Sequence, residues 1–92
     1  MPEQLCTLLD GLIEAERGYK QTQSDERAIN RSHRRIRLME KMRLMSNGST
    51  VELDDAAEAA LKLDIEHLAE RDWDMNQICE LINQYQEVRP KP

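Results

Sequence analysis

SDERAINRSHRRIRLMEKMRLMSNG, residues 24–48, is the stretch from which the fold can be read. Ser24 suits the cap of a helix whose first turn holds Asp25 and Glu26, and Asn47-Gly48 supplies residue types that tolerate the left-handed backbone of a helix end. Between them, at about 100° per residue, Ala28, Ile29, Ile36, Leu38, Met39, Met42 and Met45 cover about half the circumference of one helix. Leu38, Met42 and Met45 could form an adaptable apolar contact surface, but the core is their expected place. The other side carries Arg27, Asn30, Arg34, Arg37 and Lys41, a basic stripe. From Asn30 to Arg35 no apolar residue occurs, so that turn is expected to be poorly buried by this chain alone.

Upstream, Leu5, Leu8, Leu9, Leu12, Ile13 and Tyr19 recur at three- and four-residue spacing and predict a helix over residues 3–20. Pro2 and Glu3 suit its first turn. Gly18 and the polar run from Lys20 to Gln23 make a turn, so the first two helices should form an antiparallel hairpin over 3–46. Downstream, Ser49-Thr50-Val51-Glu52 fits the capping box, in which a hydroxyl and a Glu three residues later satisfy each other's backbone N–H groups. A third helix is expected near 50–70. Its wide apolar arc of Leu53, Ala56, Ala57, Ala60, Leu61, Leu63, Ile65 and Leu68 suggests a central position, because alanines let a neighbouring helix approach. Asp74 with Gln77 forms a weaker capping pattern before a fourth helix near 75–86, with Met75, Ile78, Cys79, Ile82 and Tyr85 on one face. Residues 87–92 read as a flexible tail. Val51-Glu52-Leu53, the one strand candidate, is too short to build on.

The expectation is an all-α single domain over 1–92, a small bundle of about four helices. A chain of 92 residues buries only about 60–65% of its unfolded surface. With no Phe, one Trp and two Tyr, its core must come from many modest aliphatic side chains. Dimerisation would enlarge such a core, and a homodimer is expected.

Several function classes find no support in these residues. Cys6 and Cys79 stand far apart without paired spacing, which argues against a disulfide scaffold or a zinc site, and each reads as a small buried apolar residue. Neither has a histidine nearby in sequence or sits in a glycine-bearing elbow. The isolated Gly11, Gly18 and Gly48 make no phosphate-cradling loop. Asp64 and His67 share a helix face, the kind of pairing a metal can use, but two ligands do not make a site. The simpler reading is a partly buried histidine hydrogen-bonded to a neighbouring carboxylate. No enzyme activity, cofactor or metal is expected. Met1-Pro2-Glu3-Gln4 lacks the basic and apolar regions of a signal peptide, and no stretch approaches the ~20 apolar residues of a membrane span. The expected location is the cytoplasm, with no membrane partner, and Asn30-Arg31-Ser32 and Asn47-Gly48-Ser49 read as chance matches to the glycan acceptor pattern.

Charge distribution is the most informative feature. The net charge is −5, but the segment from Arg27 to Arg43 sets seven basic residues against Glu40 alone, while residues 49–92 carry 4 basic and 11 acidic side chains. Three uses of this asymmetry compete. Arg27, Arg31, Arg34, Arg35, Arg37 and Lys41 could contact nucleic-acid phosphates or an acidic partner. Against nucleic acid stand the negative net charge, the lack of interleaved aromatics and an acidic third helix able to neutralise the stripe. Alternatively, the stripe lies against carboxylates of residues 52–74 in the same chain or a second copy, an arrangement that sets orientation more than stability. Third, Glu52, Asp55, Glu58, Glu66 and Glu70 form an acidic ridge that could occupy a partner's basic groove. Trp73, between Asp72 and Asp74, is either a lid on the core or an interface anchor. The reading that follows is a non-catalytic regulator or adaptor that binds a protein partner stoichiometrically, with a nucleic-acid-binding regulator as the alternative.

Overall fold

The computed structural model describes residues 3–86. Its elements are β1 (Glu3–Gln4), α1 (Leu5–Gln21), α2 (Glu26–Met45), β2 (Glu52–Leu53), α3 (Asp55–Ala69) and α4 (Met75–Gln86). The fold is a small all-α bundle with a two-residue antiparallel ladder, in which Glu3 pairs with Leu53 and Gln4 with Glu52. Among the described residues no helix is long and apolar enough to cross a membrane. The expected tail, 87–92, and Pro2 lie outside them.

α1 and α2 pair as the expected antiparallel hairpin, tied along its length by Arg43 to Asp10 at 2.8 Å and Arg17 to Glu40 at 2.6 Å. α2, not α3, is the central helix: α1, α3 and α4 all pack on it. The alanines of α3 were a misleading cue, since Ala56, Ala59 and Ala60 are exposed while Leu61, Ile65, Leu68 and Ala69 face the core. The main core joins Leu5, Leu9, Leu38, Met42, Leu53, Leu61, Ile78 and their neighbours. The far end of the hairpin extends beyond this core, which leaves Tyr19 48% exposed despite its helical spacing. Met75 and Cys79 are likewise exposed, Cys6 is partly buried, and Leu81 takes the place expected for Cys79 in the buried face of α4.

Helix starts depart from the expected caps for identifiable reasons. Residues 3–4 and 52–53 are drawn into the ladder, and the Leu5 amide, an orphan donor at the head of α1, donates to the Val51 carbonyl at 2.9 Å. α3 therefore starts at Asp55, with Asp54 as its cap accepting from the Ala57 amide at 2.8 Å. The Ser49 hydroxyl accepts from the Val51 amide at 3.2 Å instead, and no capping box forms there. At α4 the box is complete: the Gln77 amide donates to Asp74 at 3.0 Å and the Asp74 amide to Gln77 at 2.9 Å. α2 is preceded by Asp25 rather than Ser24, without a side-chain cap bond.

As expected, most of the polar turn from Asn30 to Arg35 is exposed, with Asn30, Arg31, His33 and Arg34 open to solvent and Ser32 the exception. Ser32 is fully buried, and its hydroxyl donates to Glu16 at 2.6 Å. Such a bond satisfies a hydroxyl whose desolvation would otherwise be costly. Gly48, with φ of 85°, turns the chain after α2 in the left-handed region that Asn47-Gly48 foreshadowed.

Candidate docking groove and basic face

Two surfaces of this bundle combine exposure with organised chemistry. The first arises because α1 and α3 both pack on α2 and make little contact with each other. Between them lies a groove of about 530 Å³. Leu12 and Ala15 of α1 form one wall, Ala59 and Leu63 of α3 the other, and Met39 of α2 contributes to the floor. Leu63 is 52% exposed. A large aliphatic side chain held open beside an apolar hollow is an ordinary feature of protein-docking sites.

The charged residues of this groove are partly organised. Arg35 reaches Glu16 of α1 at 3.6 Å and Glu66 of α3 at 3.7 Å, so one guanidinium links the two walls. Lys62 pairs with Glu58 one turn away at 3.1 Å. A shallower hollow beyond Ala59 is lined by Asp55, Glu58 and Lys62. The expected acidic ridge is thus split: Asp55, Glu58 and Glu66 stand beside the groove, Glu70 caps the end of α3, and Glu52 belongs to β2. The rim retains more carboxylate than ammonium or guanidinium charge.

The second surface is the basic face of α2. Of the expected interaction with carboxylates of 52–74, the described residues show one ion pair, Arg35 with Glu66; the other pairs of α2 are made with α1. Bonded to Asp10, the Arg43 guanidinium is held above its ordinary pKa. Arg27, Arg31, Arg34, Arg37 and Lys41 have no ion-pair partner among the described residues. The turn between α3 and α4 brings Arg71 and Trp73 beside Arg34 and Arg37, around a hollow of about 450 Å³ that Asp72 also lines. Arg34 donates to the Arg71 carbonyl at 3.1 Å. Trp73 is partly buried against the core and also lines this hollow, so lid and anchor are compatible descriptions of it. Sequence spacing had no means of finding Arg71, because only the turn places it near α2.

The remaining candidate chemistry is differently arranged. Asp64 accepts from the Tyr85 hydroxyl at 2.6 Å, and His67 is exposed rather than partly buried, with no side-chain hydrogen bond to a carboxylate among the described residues. Burial, then the bond to Asp64, pushes the Tyr85 phenol above its ordinary pKa. Among the described residues no group of three His, Cys, Asp or Glu is placed to hold a metal ion. The Cys6 thiol lies near Gln4 and the Ser49 carbonyl, and Cys79 near the Met45 sulfur, each at 3.9 Å. Comparison with known protein families, curated proteins and solved structures found no match.

Proposed function

We propose that this protein is a non-catalytic regulator or adaptor that acts by stoichiometric binding of a protein partner, with the groove between α1 and α3 as the docking site. The observation that carries the proposal is the groove itself, an apolar channel with an open Leu63 and a Met39 floor. An amphipathic helix is the occupant that such a channel suits, because its apolar side chains fall on one face at three- and four-residue intervals. Methionine in the floor adds adaptability, since its side chain repacks readily. Asp55, Glu58, Glu16 and Glu66 around the apolar strip favour an occupant whose apolar face is bordered by Lys or Arg. The proposal is of a cytoplasmic protein, where its two unbridged thiols stay reduced.

Homodimerisation is the second reading, favoured by exposed Ala56 and Ala60 continuing the strip from Ala59 and Leu63. A titration separates the two. Methyl-labelled methionine spectra would be followed while adding an amphipathic peptide of about 14 residues, a usual helix length, with leucines on one face flanked by lysines. Shifts at Met39 that are absent at Met75, and lost with a scrambled peptide and in a Leu63→Glu variant, are the expected result. Equal binding of the scrambled peptide, or no response at Met39, would end the helix-docking proposal. Sedimentation of the same protein gives the dimer its own test: a dimer dissolved by Leu63→Glu would make a second copy the occupant.

A further inference from the structure

We propose that the basic face of α2, with Arg71 and Trp73, binds single-stranded nucleic acid, a second activity that does not depend on the groove. Arg27, Arg31, Arg34, Arg37 and Lys41 follow one another at intervals of three or four residues and so share one side of α2. At about 1.5 Å of rise per residue the row extends over about 21 Å. None of the five has a carboxylate partner among the described residues, where Arg35 and Arg43 do. Midway along the row, Arg34 and Arg37 meet Arg71 and Trp73 around one hollow, where three guanidinium groups stand against the single carboxylate of Asp72. The Arg34 bond to the Arg71 carbonyl fixes that guanidinium against the turn while leaving its other N–H groups available.

Guanidinium groups beside an indole offer the two contacts an unpaired strand requires. The arginines hold phosphate oxygens, and the aromatic face stacks on a base. An acidic peptide would satisfy the arginines but has no base to set against Trp73. Duplex recognition fits poorly, because a helix that enters the major groove must stand clear of its neighbours, and α2 is packed by α1, α3 and α4. α4, the more peripheral helix, contains no Lys or Arg. The net charge of −5 does not decide the matter, since at physiological salt charges beyond about 8 Å are largely screened and the local row dominates.

Trp73 is the sole tryptophan, so its fluorescence reports on this hollow alone. The experiment titrates the protein with single strands of thymidylate and of uridylate, each of about 12 nucleotides, and with a DNA duplex and polyglutamate as controls, at low and high salt. The expected result is quenching by one or both single strands, weakened by salt; the stronger of the two identifies DNA or RNA as the ligand. Replacing Arg34 and Arg37, both exposed, with Gln should preserve the fold and flatten the log–log salt slope by about 1.4, the share of two phosphate contacts. Trp73→Ala, followed by anisotropy of a labelled strand after its helix content is checked, should weaken binding roughly 5- to 150-fold. No quenching or anisotropy change at low salt would overturn the proposal. So would an unchanged salt slope in the Arg34→Gln/Arg37→Gln variant, or binding of duplex or polyglutamate as tight as that of the single strands.

Discussion

Replacing Tyr85 with Phe removes one oxygen from the last turns of α4 and leaves the buried ring in place. The hydroxyl donates to Asp64 at 2.6 Å and joins α4 to α3. Hydrogen bonds to charged acceptors contribute about 1.5–3 kcal/mol. Asp64 is only partly buried, so water competes for its carboxylate, and the expected loss at pH 7 is about 1–2 kcal/mol. For a domain of this size that corresponds to a fall in Tm of about 5–12 °C. Guanidinium unfolding followed by helical circular dichroism measures it, with a common slope for the two proteins. The alkaline limb carries a second signature. Burial and the Asp64 bond raise the phenol's pKa in the folded chain, so above about pH 10 the unfolded chain loses a proton that the folded chain keeps. The stabilising contribution is therefore complete below pH 10 and declines as pH rises through the raised value, which narrows the gap between wild type and Tyr85→Phe. A difference below about 0.5 kcal/mol at pH 7, the ordinary scatter of surface substitutions, or a gap that widens above pH 10, would refute the reasoning.

Asp74→Ala should cost about 1–2 kcal/mol in the same unfolding assay, because it breaks the reciprocal cap of α4, whereas Ser49→Ala should stay within about 0.5 kcal/mol; the reverse order would restore Ser49 as the cap of α3. Gly48→Ala should destabilise by about 1 kcal/mol, since alanine at φ of 85° is strained. Gly11→Ala and Gly18→Ala, where an added methyl meets nothing within 4 Å, should each raise stability by up to about 1 kcal/mol, read as an increase in Tm. Ser32→Ala should lose about 1–2 kcal/mol, with Glu16→Gln compensating part of it in the double variant; additive losses would remove the coupling between these residues.

The helices and the hairpin were legible because their signal is local. Leu5, Leu8, Leu9 and Ile13, or Leu38, Met39 and Met42, declare a buried face by their spacing alone. The ladder was not legible, since Glu3 meets Leu53 only after the hairpin has folded back, and two residues carry no alternation to read. That distant pairing moved the start of α3 past a capping pattern that is satisfactory by itself. Ser32 looked like part of an open polar turn because its partner, Glu16, comes from another helix. The alanines of α3 resemble a packing surface in sequence, but small size permits close approach without requiring it. For the candidate surfaces, the basic row followed from helical periodicity. The Arg71 and Trp73 contribution, and a groove formed by helices that fail to meet, depend on tertiary placement.

A bundle organised around one helix does not open uniformly. α2 is covered by α1, α3 and α4, while α3 and α4 lean on it more than on each other. Amide protons of the hairpin should therefore exchange last, and those of α3 and α4 should exchange through smaller openings that leave the hairpin intact. Leu63 and Ala59 ride on α3, whereas the row from Arg27 to Lys41 belongs to α2. The molecule thus pairs a groove wall that should open before the hairpin does with a charged rod that should hold its spacing.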